Sequence, residues 1–244
     1  MHEIIEHKPE PAKYEDLAQM MEQSLVAPEL SESDVAAGCE LAKQYGIAAV
    51  LVRPSDLDLV VNWLRGSQVV LGAVIDAPYG YSTTAAKLFA ARDALRRGAK
   101  EIDTVMNTGK LVSRQFQYLE TELLQMADAC HGSGALLKVA LESERLNEEL
   151  KIVACRIAKR TGADYLASST MEDVALLKSY AREKVKLACT LNLDSLDTAL
   201  GFREAGCSRL QSANPGSVLK AWKLKLGVAQ AFLPACPQAG VALR

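Results

Sequence analysis

Six times in this chain a glycine closes an amphipathic stretch and opens a short apolar run. Gly46 precedes IAAVLV, Gly66 SQVVLGAVI, Gly98 AKEIDTV, Gly134 ALLKVAL, Gly162 ADYLASS and Gly206 CSRLQSA. A helix that stops at a C′ glycine and hands over to a buried strand leaves this pattern. The stretches between have helical spacing, with Val35, Cys39, Leu41 and Ala42 in one, and Leu150, Val153, Ala154, Ile157 and Ala158 in another that Asn147 can cap. An opening strand at SLVAP (24–28) and another at VKLACTL (185–191) bring the expected strands to eight. Strands alternating with helices mean βαβ units and a parallel sheet, and eight units within 244 residues match the ~250 that one closed (β/α)8 TIM barrel needs. A doubly wound open sheet is the α/β alternative, weakened because neither GxGxxG nor GxxxxGK[ST] occurs. The expected organisation is a leader helix over 1–20, a barrel over 21–227, and a loose tail over 228–244 containing Pro234, Pro237 and Gly240.

Composition narrows the function classes. The chain is 49% hydrophobic and 24% charged with a formal net charge of −2, so it can bury a full core and carries no basic field for nucleic acid or for a polybasic membrane contact. It has no apolar run of transmembrane length, and its first twenty residues lack a signal peptide's apolar stretch, so a cytoplasmic location is expected. Cysteines 39, 130, 155, 189, 207 and 236 never form CxxC and read as buried thiols, not staples or metal ligands. The histidines are His2, His7 and His131, too few and too peripheral for histidine-based catalysis. The motifs call for no cofactor and no metal.

In a barrel, chemistry belongs on inward-pointing residues and at the C-terminal strand ends. Alternation along LLKVALES puts Lys138, Ala140 and Glu142 on one face and Leu137, Val139 and Leu141 on the greasier, helix-covered face. The same argument places Asp103, Val105 and Asn107 inward in EIDTVMN. In VKLACTL it places Lys186, Ala188 and Thr190 inward. Asp103, Lys138 and Lys186 are the candidate catalytic residues, because two inward lysines and an aspartate are either mutually neutralising or kept for chemistry. Glu22 and Ser24, Arg53 after VLV, and Asp76 closing VVLGAVID are further candidates for substrate binding, with Asn107 and Glu142. A carboxylate metal site of Asp76, Asp103 and Glu142 is a third arrangement, unsupported by spacing.

The segments SLVAPELSESD, YGIAAVLVRP, PYGYSTTAAK, GAKEIDTVMNTGKL, LLKVALES, GADYLASST, VKLACTL and GCSRLQSA, in this order, resemble the deoxyribose-phosphate aldolase family over residues 20–222. The resemblance implies a (β/α)8 class I aldolase that works through a lysine Schiff base without metal, on a small carbonyl or sugar ligand. It matches Asp103 to the proton-relay aspartate and Lys138 to an additional mouth lysine, and sets Glu22 and Ser24 where the family has aspartate and threonine. Three departures follow. GADYLASST puts Ala167 at the position of the imine-forming lysine, and an alanine cannot make an imine. VKLACT keeps Lys186 but replaces two phosphate-site glycines by Cys189 and Thr190. QSAN sets Gln211, Ala213 and Asn214 where a glycine and two serines are expected, leaving Ser212 as a substrate-contact candidate, and Met171 replaces a further glycine.

Two functions remain open on this reading. One is a divergent carbon–carbon lyase using Lys186, Lys138 and Asp103. The other is a catalytically silent barrel kept as a binding or assembly partner, as a homo-oligomer such as a dimer or beside an active homologue, its mouth filled by Gln211, Asn214 and Met171.

Overall fold

The computed structural model describes residues 13–227. Its strands are β1 (Met21–Leu25), β2 (Ala49–Val52), β3 (Val70–Ile75), β4 (Glu101–Val105), β5 (Leu136–Ala140), β6 (Tyr165–Ser168), β7 (Lys186–Cys189) and β8 (Cys207–Ser212). All neighbours pair in parallel, and β1 closes on β8 through Met21 opposite Leu210 and Glu22 opposite Gln211. The helices are α1 (Tyr14–Ala18), α2 (Glu32–Tyr45), α3 (Leu57–Trp63), α4 (Thr84–Arg96), α5 (Thr108–Val112), α6 (Phe116–Gly132), α7 (Glu148–Thr161), α8 (Met171–Ala181), α9 (Leu196–Ala205) and α10 (Pro215–Lys225). The fold is a single (β/α)8 barrel.

All six punctuating glycines have positive φ, a conformation costly for a residue with a Cβ. Gly46 ends α2 and Gly162 ends α7 in the left-handed region, where their N–H groups return to the last helical turn. The starts are as chemically determined as the stops. Ser31, Thr83, Asn107, Asn147, Thr170 and Ser195 each accept a hydrogen bond from the backbone N–H three residues on.

Two expectations shift. The first strand runs over Met21–Leu25, not 24–28, because Pro28 and the residues before it form the connection to α2. Of the expected leader helix only Tyr14–Ala18 is seen, packed outside the barrel against α10. Residues 1–12 and the expected tail, 228–244, lie outside the described residues.

The barrel has two interiors of different chemistry. Outside the strands, Val50, Val52, Ile102, Leu137, Val139, Leu166, Leu187 and Leu210 pack against the helices in one continuous apolar layer. Inside, Tyr165, Ala167 and Ala188 form a small apolar group with Leu136 and Ala140 against it. The inward face also carries Glu22, Glu101, Asp103, Lys138 and Arg209 from β1, β4, β5 and β8, which is what sets up the site. The five described cysteines are all buried. Burial pushes the thiols of Cys39 and Cys155 up to about 11 and those of Cys130 and Cys189 up to about 12.

Candidate active site

Lys138 projects from β5 into the barrel and meets three carboxyl groups. Its Nζ donates to Glu22 Oε2 at 2.6 Å and Glu101 Oε1 at 2.7 Å, and lies 3.0 Å from Asp103 Oδ2. Arg209, from β8, stands 3.7 Å from both Glu22 Oε1 and Glu101 Oε2 and donates through Nε to the Tyr165 hydroxyl at 3.3 Å. Glu22 and Glu101 are 0% exposed and Lys138 is 2% exposed, so these charges have no water to fall back on. Three carboxyls face two cations, and neutrality in a low-dielectric interior is reached when one carboxyl keeps its proton. Desolvation holds Asp103 well above the ordinary aspartate range, with the charges of Glu101 and Glu22 adding to it and Lys138 opposing. Burial raises Glu22 as well, whereas Glu101, although buried, is lowered by Lys138 and Arg209, so Asp103 and Glu22 are the carboxyls pushed toward the protonated form. Asp103 Oδ1 has no partner. Burial acts against the Lys138 ammonium, but the three carboxyl groups outweigh it and push its pKa well above the usual lysine value. An ammonium held in this way is a counter-ion, not an amine nucleophile.

Above this cluster, at the C-terminal ends of the strands, a cavity of about 610 Å³ opens. Asp103 and Ala140 form part of its floor, Ser24, Thr190, Ser169 and Gln211 part of its wall, and Glu142, Glu144 and Arg145 part of its rim. Glu142 Oε2 accepts from Arg145 Nε at 3.3 Å, and Glu144 accepts from the Ser169 hydroxyl at 3.3 Å.

Of the candidates, Asp103, Ser24 and Glu142 meet at this cavity, with Glu22 and Lys138 buried beneath Asp103. The other five lie away from it. Lys186 begins β7 at the N-terminal end of the barrel, exposed, with its Nζ 5.6 Å from the centre of the Tyr165 ring. Parity places it on the inward row, but not at the depth where Asp103 and Lys138 meet. Arg53 spends its guanidinium on Asp56 at 2.7 Å and on the carbonyls of Ala27, Pro28 and Leu30, tying down the β1–α2 connection. Asp76, at φ 57, accepts from the backbone N–H and hydroxyl of Ser82 and faces the buried Lys87 at 3.5 Å. Asn107 caps α5. Ser212 donates to the Leu193 carbonyl at 2.5 Å and accepts from the Asn214 N–H at 3.1 Å. With Asp76 committed to its own loop and Glu142 to Arg145, the carboxylate metal arrangement does not assemble. Nor is the mouth filled as a silent barrel was expected to be, since Asn214 and Met171 stand outside the cavity lining and Gln211 leaves it open.

No family model matches the chain. A deoxyribose-phosphate aldolase of Treponema denticola is 33% identical over 207 residues, covering 82% of this chain and 96% of that protein. One of Bacteroides thetaiotaomicron is 33% identical over 223 residues, covering 88% of this chain and 94% of its own. The chain belongs to the deoxyribose-phosphate aldolase family. Among solved structures, the aldolase QR15 superposes with a TM-score of 0.81 at 27% identity, over 88% of this chain and 99% of its own. The tetrameric deoxyribose-phosphate aldolase of Aeropyrum pernix shares the fold at a TM-score of 0.80 and 24% identity, over 86% of this chain and 92% of its own. Among the described residues no helix is long and apolar enough to cross a membrane.

Glu101 and Arg209 are parts of this deoxyribose-phosphate aldolase family barrel that sequence reasoning passed over. Glu101 lies two residues before Asp103 on the same face of β4, and Arg209 two before Gln211 on β8, so the alternation that found Asp103 already contained the signal. Lys87, 1% exposed between α4 and α6, was also missed. It donates to Glu122 at 2.8 Å and to the Val105 carbonyl at 2.9 Å. Nothing in its amphipathic stretch separates it from a solvent-facing lysine.

Proposed function

We propose that this chain is a member of the deoxyribose-phosphate aldolase family that keeps a ligand-binding mouth but no longer forms an imine. The observation that carries the reading is that no lysine lines the mouth cavity among the described residues. The position that the family resemblance assigns to the imine-forming lysine is Ala167, fully buried against Tyr165 and Ala188. Lys138 is held charged by three carboxyl groups, and Lys186 stands at the other end of the barrel. An imine needs a neutral amine within bonding reach of the carbonyl, and neither lysine offers one.

Reduction with borohydride in the presence of acetaldehyde or deoxyribose 5-phosphate, followed by mass spectrometry, tests this directly. The expected result is unmodified protein. A stoichiometric adduct on Lys138 or Lys186 would overturn the reading.

One observation favours a second reading, a divergent lyase. Asp103 lines the cavity, and desolvation pushes its carboxyl group well above the usual aspartate range, the direction a general acid needs. On that reading Lys138 positions Asp103, and Lys186 has no part in the chemistry. Release of an aldehyde from deoxyribose or its 5-phosphate, lost in Asp103→Asn, would favour it. Assembly as a homo-oligomer, such as a dimer, belongs to the same proposal, with the tetrameric Aeropyrum protein as its support, and light scattering measures it.

A further inference from the structure

The end of β8 carries the backbone N–H groups that a barrel of this kind has available for an anion, and here the chain occupies them itself. The Ala213 N–H donates to Asn192 Oδ1 at 2.5 Å and the Asn214 N–H to Ser212 Oγ at 3.1 Å. The β7–α9 connection is stitched down beside them, with the Leu193 N–H donating to the Gln211 carbonyl at 3.0 Å and Ser212 Oγ to the Leu193 carbonyl. At the rim, Glu142 and Glu144 outnumber Arg145, whose guanidinium is paired with Glu142, so the local charge opposes a phosphate dianion.

The wall offers a different chemistry. Three neighbouring strands, β7, β8 and β1, each present one uncharged hydrogen-bonding side chain to the cavity: Thr190 just beyond β7, Gln211 on β8 and Ser24 on β1. None of these three side chains is engaged in a hydrogen bond within the described structure, whereas Ser169 is paired with Glu144 and Ser212 with the Leu193 carbonyl. Hydroxyl and amide groups held on rigid strands with their hydrogen-bonding capacity unspent match a ligand that both donates and accepts without net charge. Across the cavity the Asp103 carboxyl group, 13% exposed, lines the same space. A volume of about 610 Å³ accommodates a small sugar-sized molecule with water to spare.

We infer that the mouth takes a neutral, unphosphorylated polyhydroxy compound, an aldose or polyol, and discriminates against its phosphate ester. This rests on the reading of the mouth as a ligand site.

The test is calorimetric titration of the full chain with ribitol, 2-deoxyribose and 2-deoxyribose 5-phosphate. The expected result is saturable binding of at least one unphosphorylated probe, with the phosphate ester bound no more tightly than deoxyribose. Thr190→Val, nearly isosteric and chosen to leave the fold intact, should weaken the bound probe about tenfold, the worth of one lost hydrogen bond. Asn192→Ala frees the Ala213 N–H and should strengthen binding of the phosphate ester. Overturning results are a phosphate ester that binds the wild type about tenfold tighter than deoxyribose, no saturable binding of either unphosphorylated probe, or phosphate binding unmoved in a folded Asn192→Ala. A borohydride adduct would remove the proposed loss of imine chemistry and leave this preference standing. A preference for the ester without an adduct would do the reverse.

Discussion

Asp103 is where residue-scale physics is most exposed to measurement. Its folded pKa lies above its unfolded value, so the native state holds this proton more tightly than the unfolded chain does. That contribution to stability is fully present below the ordinary aspartate range and is lost as pH rises toward the folded value, at about 1.4 kcal/mol per pH unit. Asp103→Asn keeps the shape and removes the titration. The variant should match or exceed the wild type in stability at neutral pH and show a flatter profile from pH 4 to 8. Urea midpoints across that range measure the difference, and parallel wild-type and variant profiles would mean that Asp103 is ionised in the fold. Lys186 teaches the complementary lesson. Alternation assigned its face, but a strand's face carries no information about height along the barrel axis: Lys186 is the first residue of β7, whereas Lys138 is the third of β5.

At the scale of elements, the alternation of helix and strand was legible because each boundary is written in local chemistry, a capping side chain before a helix and a positive-φ glycine after it. What the loops do was less legible. Arg53 and Asp76 end strands as catalytic residues do, but beside Asp56 the one is spent on three backbone carbonyls, and the other on the N–H and hydroxyl of Ser82 while facing Lys87, most of them groups brought near by the fold. No spacing in the sequence announces them. The β3–α4 connection shows how tightly such a loop is held. Gly80 has φ +66, and a Cβ there would lie 2.4 Å from the Val105 carbonyl oxygen, on the strand that carries Asp103. Gly80→Ala should therefore cost at least about 2 kcal/mol in a denaturation midpoint, from backbone strain and the clash together. A loss under a few tenths would mean that the loop moves freely away from β4.

Over the whole molecule, the barrel is held by an apolar sleeve outside and an ionic knot inside. Lys138 links β5 to β1 and β4, so removing it should be felt globally: Lys138→Met leaves three buried carboxyl groups to share one cation, at a cost of about 3–5 kcal/mol measurable in a single unfolding transition. A variant as stable as the wild type would show that water reaches the knot. The fold class was readable from sequence because it depends on a repeated local pattern, whereas the knot depends on closure, which brings Glu22 and Lys138, 116 residues apart, into contact. The buried thiols add a practical property. Cys39, Cys130, Cys155, Cys189 and Cys207 are spread over α2, α6, α7, β7 and β8, shielded from solvent, and the first four are also held in the unreactive protonated form. An alkylating reagent can reach them only through openings of the structure, so the order in which they take up label over time is a native record of which sectors of the ring breathe first.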